Sequence, residues 1–216
     1  MAAEMERNGE RVYASDEKMG VQALEHAQEK QPGKPERVDP EYIRHGTSGI
    51  IAAFNVADDS IACAMVQPTR TEADYLAHIE SLVALNPSDK HKIIHDSLNT
   101  HMSESLVKFV AKIEGIPDSE LGRKGKSGIL KSMKTRAEFL SDPSHQIEFV
   151  YTPKHCSWLN QIECWFSIIA RRLLNRRSSF ASVEELEQAI REFIDYYNRC
   201  LKKPFQWNYE GKLLKI

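Results

Sequence analysis

Long hydrophobic runs are missing from this sequence. None of its apolar stretches approaches the roughly 18 residues that a membrane-spanning helix needs. The opening segment MAAEMERNGE has neither an apolar centre nor the basic, acid-poor composition of a leader, which argues against secretory and organellar targeting peptides. Hydrophobic residues make up 41% of the chain and charged residues 28%, as in ordinary globular domains. We therefore expect a cytoplasmic protein with one substantial core.

Cysteine is also scarce, and no two cysteines have CxxC spacing. The four are Cys63, Cys156, Cys164 and Cys200. This pattern argues against a disulfide framework and a zinc cluster, and it predicts reduced thiols that are mostly packed. Four histidines likewise lack the spacing of a zinc motif, and hydrogen bonding or DNA contact is their simpler interpretation. They are His95, His101, His145 and His155.

A global excess of positive charge is absent as well, because 29 basic residues face 31 acidic ones and give a formal net charge of −2. Nucleic-acid contact would therefore depend on local clusters. The stretch RKGKSGILKSMKTR has six basic residues and no acidic one, which favours phosphate contact over a merely solvated loop. Its basic residues are Arg123, Lys124, Lys126, Lys131, Lys134 and Arg136. A second cluster comprises Arg171, Arg172, Arg176 and Arg177.

Hydrophobic periodicity predicts strands early in the chain and then alternating strands and helices. A strand over 11–18 precedes an exposed, proline-containing excursion, HAQEKQPGKPERVDPEYIR, and a β-hairpin in HGTSGIIAAFNVADDSIACAMVQP. A helix capped by Thr71, a strand over 92–96 and a helix capped by Ser103 follow. A strand in QIEFVYTPK then leads to two helices, from Ser157 to about Asn175 and from Ser182 to about Lys202. This order predicts a mixed α/β sheet with helices on its faces.

Three acidic residues are candidates for a shared site. Asp16 ends the first predicted strand, Asp96 ends the fourth, and Glu163 lies on a helix one turn after Asn160. If the two strands are neighbours, both aspartates reach the same edge, where a helix packed across it adds the glutamate. Such oxygen ligands suit Mg²⁺. Taken singly, an Asp at a strand end is more often a turn or cap residue.

Two tryptophans lie beside Glu163, in the run CSWLNQIECWF. Their apolar surroundings indicate that Trp158 and Trp165 are core anchors, with base stacking as the alternative.

Several motifs together resemble the catalytic domain of the IS630 family of bacterial insertion-sequence transposases, in the Tc1/mariner group. They are DEK at Asp16, HDSLNTHMSESL from His95, TPKHCSWLNQIECWFS from Thr152, FASVEELEQAIREFIDYYN from Phe180, and KPFQWNYEGKLL near the end. The resemblance implies a ribonuclease H-like fold, with a mixed five-stranded sheet flanked by helices. It implies a catalytic domain over 11–216 after a disordered segment, 1–10. Sixty-six residues separate Asp96 from Glu163, and a basic insertion around 115–146 accounts for this long spacing.

The resemblance also assigns roles to residues. Asp16, Asp96 and Glu163 match the acidic triad that holds two Mg²⁺ ions, for which Mn²⁺ can substitute. Asn99, His101 and Asn160 match polar positions that support the site.

The implied activity is DNA transposition. Water releases a 3′-hydroxyl at a transposon end, and that hydroxyl then attacks target DNA. The implied partners are double-stranded DNA, a second copy of the chain in a homodimer, and a helix-turn-helix protein, since ten residues before Arg11 leave no room for that module. Association with the bacterial nucleoid would follow. Two alternatives stay open: a simple nuclease of the same fold, and a non-catalytic remnant that binds DNA or full-length transposase.

Overall fold

The structure is a computed structural model that describes residues 2–29, 37–153, 156–175 and 178–203. Predictions that concern residues 30–36, His155, Arg176, Arg177 and the C-terminal stretch 204–216 lie outside the described residues. In the described part of the chain, no helix is long and apolar enough to cross a membrane.

A five-stranded sheet forms the centre of the domain, in the order β3-β2-β1-β4-β5. Its strands are β1 Glu10–Glu29, β2 Arg37–Asn55, β3 Ile61–Gln67, β4 Lys90–His95 and β5 Ile147–Tyr151. The first three strands pair antiparallel as a meander, whereas β4 pairs parallel to β1 and β5 parallel to β4. The mixed sheet and its predicted hairpin are thus confirmed.

Helices occupy the connections and cover both faces of the sheet. They are α1 Ala2–Arg7, α2 Glu72–Ala84, α3 Glu104–Ile113, α4 Asp118–Leu121, α5 Met133–Leu140, α6 Ile162–Arg172 and α7 Val183–Tyr196. Short 3₁₀ helices span Asn99–Met102, Ile129–Lys131 and Ser157–Leu159, and a π-helical turn, Tyr197–Leu201, follows α7. Thr71 and Ser103 accept the predicted N-cap hydrogen bonds, and Ser182 accepts one at the start of α7. The Glu185 carboxylate accepts from Ala181 rather than from Ser182, so a reciprocal capping box does not form at α7.

The two-residue period of the strands divides the core between the two faces. Tyr13 and Ile93 pack with α2 and α3, whereas Ala14, Ile50 and Ala52 pack with α6 and α7. Successive residues of β1 therefore face different helical layers. This alternation decides where the polar residues of β1 lie.

The first strand is longer than the sequence predicts. It continues past residue 18, and both sides of the expected excursion over 26–44 are paired backbone, with His26 opposite Tyr42 and Gln28 opposite Val38. Irregularities interrupt this ribbon, in which Ile43 is 62% exposed. The proline-rich composition signalled exposure correctly, but it did not reveal that the two strands of this ribbon pair with each other.

Two other regions also differ from expectation. Part of the segment expected to be disordered forms α1, which an ion pair between Glu6 and Arg11 connects to β1. The segment around 115–146, predicted to be a basic insertion, includes α4 and α5, and its leucines Leu121, Leu130 and Leu140 are fully or almost fully buried. The insertion is consequently an ordered layer over the α2–α3 face.

The four cysteines are all free. Cys164 and Cys200 are exposed, so the expectation of mostly packed thiols is wrong for these two.

Candidate active site

Asp16 lies within β1 and not at its end, which corrects the sequence prediction. The relevant end is that of the β1–β4 ladder, which pairs Ala14 with Ile94 as its last partners. Continuing this register by two residues brings Asp16 level with Asp96, directly after β4. Neighbouring strands lie about 4.8 Å apart, so the two aspartates emerge side by side. The strand continues past Asp16 because β2 still pairs with it on the other side.

Asp16 is contacted by Asn160, which lies two residues before α6. The Asn160 side-chain amide donates to the Ser15 carbonyl oxygen at 2.9 Å and to Asp16 Oδ2 at 3.3 Å. The other carboxylate oxygen, Oδ1, accepts from the Glu17 backbone N–H at 2.8 Å. Asn160 is fully buried. Its two hydrogen bonds attach the start of the α6 region to the strand that carries Asp16.

Burial raises the pKa of Asp16 to about 7, and the nearby negative charge of Asp96 acts in the same direction. Close to neutral pH this carboxyl group is thus balanced between its two protonation states. A divalent cation between Asp16 and Asp96 would favour the ionised form. This electrostatic situation and the all-oxygen donor set fit Mg²⁺ or Mn²⁺.

Asp96 is held from the opposite side by the 3₁₀ helix Asn99–Met102. Its Oδ1 accepts from the Leu98 N–H at 3.0 Å and lies 2.9 Å from His101 Nδ1. The hydrogen bond from His101 lowers the pKa of Asp96 below its usual value. The two aspartates therefore differ: Asp16 is balanced between its protonation states near neutral pH, whereas Asp96 favours its ionised form.

His101 is a buried imidazole between two carboxylates. Its Nε2 lies 3.1 Å from Glu17 Oε1, while Nδ1 faces Asp96. Burial opposes the positive charge, yet hydrogen bonds to Asp96 and Glu17 raise the pKa of His101 to about 9. Asn99, the other predicted supporting residue of this loop, is exposed.

Glu163 occupies the first turn of α6, where its backbone N–H donates to the Asn160 carbonyl oxygen at 3.1 Å. This helix begins later than the sequence predicts, because residues 157–159 form a separate 3₁₀ turn. Within the described ranges, no group of three or more His, Cys, Asp or Glu side chains is arranged to hold a metal ion. The structure thus brings Asp16 and Asp96 together, and the membership of Glu163 in the site stays a prediction.

The predicted DNA-binding residues divide into two kinds. Arg136 is half-buried and donates to the carbonyl oxygens of Met102 and Leu130, so it stabilises the insertion from inside. The others are exposed: Arg123, Lys124, Lys126, Lys131, Lys134, Arg171 and Arg172. Lys124 and Lys134 lie within 3.7 Å and 3.9 Å of glutamate carboxylates. The exposure of the group is in keeping with the phosphate contacts that the sequence predicts.

The two tryptophans differ in burial. Trp165 is fully buried between the sheet and α7, as predicted, whereas Trp158 is 51% exposed, so its assignment as a core anchor is wrong. Sequence reasoning missed Glu17 altogether. The only available signal was a second acidic residue directly after Asp16, in a strand that was otherwise buried.

Comparison with known proteins gives a family and a fold. The profile described as DDE superfamily endonuclease matches residues 11–187. A Mos1 transposase paired-end complex with left transposon end is similar at 14% identity and a TM-score of 0.52, over 90% of this chain and 52% of that one. A pre-cleavage Mos1 transpososome is similar at 13% identity and a TM-score of 0.54, with the same coverage. The ribonuclease H-like fold is thereby confirmed, and this chain spans about half the length of those solved chains. No curated protein matches the chain significantly.

Proposed function

Because this chain belongs to the DDE superfamily endonucleases, we propose that it is the catalytic domain of a DNA transposase of the IS630 type. The observation that carries the proposal is the position of Asp16 level with Asp96, two residues past the last pair of the β1–β4 ladder, Ala14 and Ile94. The hydrogen bond from Asn160 to Asp16 supports it, since this bond connects the α6 region, and hence Glu163, to the same edge.

Asp16, Asp96 and Glu163 would hold two Mg²⁺ ions, or Mn²⁺ in their place. When bound, such a pair supplies a nucleophile at neutral pH and stabilises the leaving oxygen. The protein itself contributes orientation: Asn160 holds Asp16 from the α6 side, and His101 holds Asp96 from the opposite side. The proposed reactions are hydrolysis at a transposon end and joining of the released 3′-hydroxyl to target DNA.

The exposed basic residues would bind the DNA backbone. Such contacts position a duplex without reading its sequence. We assign sequence recognition to a helix-turn-helix module outside this domain, and the paired-end reaction to a homodimer. One of the similar solved structures is described as a paired-end complex with left transposon end, which favours this view.

The first experiment measures nicking of supercoiled plasmid DNA with Mg²⁺ or Mn²⁺. Asp16→Asn, Asp96→Asn and Glu163→Gln should each reduce nicking to background, because each removes a charged metal ligand. Glu184→Gln is the matched control, since it neutralises an exposed glutamate in the first turn of another helix, α7, and it should retain activity. Full activity of Asp96→Asn would refute the proposed site.

A second assay separates the alternative functions. Precut DNA with a 3′-hydroxyl end is incubated with a target plasmid, and joined products are counted. Joining that requires Asp96 supports a transposase, and hydrolysis without joining indicates a simple nuclease. DNA binding without either reaction, with both metals, indicates a non-catalytic remnant.

A further inference from the structure

Glu17 is a buried carboxylate on the opposite face of the sheet from Asp16. Successive strand residues point to opposite faces, and the neighbouring Ser15 contacts His78 of α2 at 3.3 Å. The Glu17 side chain is only 2% exposed. An ionised carboxylate at this depth is costly unless a partner compensates it.

The partner of Glu17 is His101, which contacts acceptors through both ring nitrogens. Nε2 lies 3.1 Å from Glu17 Oε1, and Nδ1 lies 2.9 Å from Asp96 Oδ1 and 3.2 Å from the Asp96 carbonyl oxygen. Because carboxylate oxygens only accept, each ring nitrogen has to donate. The Tyr75 and His95 rings, with centroids 4.3 Å and 4.6 Å from that of His101, fix the plane of the imidazole.

Asp96 needs such a fixed neighbour because its own side chain is 37% exposed. Its Oδ1 is bound by both His101 and the Leu98 N–H, which leaves Oδ2 for a ligand on the open side. If Glu17 no longer accepted from Nε2, the ring would lose the contact that directs its Nδ1–H towards Asp96.

We propose that Glu17 is a positioning residue, which acts through His101 to hold the Asp96 carboxylate in the orientation that binds a divalent cation. The inference rests on the proposed function, in which Asp96 is a metal ligand. Partners that hold a ligating side chain in this way affect metal affinity by about 10- to 100-fold. Glu17 would therefore control metal affinity without contacting the metal or DNA.

The test measures Mn²⁺ binding to the full chain without DNA, from the electron paramagnetic resonance signal of free Mn²⁺. Glu17→Ala should raise the Kd by about tenfold or more, and Glu17→Gln by less, because the amide oxygen can still accept from Nε2. Glu148→Ala is the matched control: it removes a largely buried carboxylate that pairs with Lys92, and it should leave the Kd unchanged. Should Glu17→Ala fail to fold, Glu17→Gln alone decides.

A double variant tests whether the effect passes through His101. His101→Phe keeps an aromatic ring but removes both nitrogens, so adding Glu17→Gln to it should raise the Kd no further. An unchanged Kd in folded Glu17 variants, or additive effects in the double variant, would overturn the inference. If Asp96→Asn binds Mn²⁺ as tightly as the parent chain, the proposed function fails instead, and the inference loses its premise with it.

Discussion

Asn160 joins two parts of the site with one side chain. Its amide donates to the Ser15 carbonyl oxygen and to Asp16 Oδ2, and the side chain is fully buried. Without this amide, the Ser15 carbonyl oxygen would lose its side-chain donor in a buried position. Asn99 offers a contrast, because it is the same residue type in a neighbouring loop but is exposed.

Asn160→Ala should lower the free energy of unfolding by roughly 1–3 kcal/mol, because it removes buried hydrogen bonds. It should also reduce nicking more than this loss of stability explains, since Asp16 loses a contact that orients it. Urea unfolding and the plasmid assay give the two quantities. Asn99→Ala is the control and should change stability by less than about 0.5 kcal/mol. Equal effects of the two substitutions would contradict the role given to Asn160.

The basic loop, residues 122–128, is a compact element between α4 and the 3₁₀ helix Ile129–Lys131. Gly122 and Gly128 have φ angles of +83° and +64°, and a Cβ atom on Gly122 would lie 2.2 Å from the Ser127 carbonyl oxygen. Only glycine permits this close approach of the two ends of the loop. Arg123, Lys124 and Lys126 lie in the loop between these two glycines and are exposed.

Simultaneous replacement of Arg123, Lys124 and Lys126 by Gln should weaken binding to all DNA sequences alike and reduce the salt dependence of the affinity. The reason is that fewer counterions are released from the DNA backbone. Fluorescence anisotropy at several salt concentrations measures both effects. Replacing three exposed basic residues elsewhere, Arg70, Lys112 and Arg199, controls for net charge. If the two triple variants lose affinity equally, the basic loop has no special role.

At the scale of the whole molecule, the α2 face of the sheet combines an apolar core with a polar cluster beneath the site. His78 and His95 are fully buried in it. Burial lowers the pKa of His78 to about 4 and that of His95 to about 3, and the nearby His101 adds to both shifts. Both rings are therefore neutral in the folded protein at physiological pH.

This burial predicts acid sensitivity. In the unfolded chain these histidines take up protons near pH 6.5, whereas in the folded chain they do so only near pH 4 and below. The unfolded state thus binds more protons at these two histidines, which outweighs the opposite contribution of the single Asp16 carboxyl, whose pKa is raised on folding. The free energy of unfolding should therefore fall as the pH drops from about 6.5 to 4. Urea unfolding at several pH values measures the slope. His78→Phe should flatten it and the exposed His45→Gln should not; an unchanged slope in His78→Phe would contradict the assignment.

The sequence by itself determined the order of the central strands and of the main helices α2, α3, α6 and α7. Helix starts at Thr71 and Ser103 depend on local capping, and the strand before Asp96 depends on local hydrophobic periodicity. Such signals lie within a few residues of one another, so they can be read without the fold. The sequence also indicated that Asp16 and Asp96 reach the same edge if their strands are neighbours, and the β1–β4 ladder meets that condition.

Only the tertiary structure decided which partner each polar side chain meets. Glu17 contacts His101, 84 residues away, and Arg136 binds the Met102 carbonyl oxygen. The same holds for the exposure of Trp158, whose apolar neighbours in sequence suggested burial. These outcomes depend on strand register, on the face of the sheet and on the packing of distant elements, and a local pattern carries no information about them.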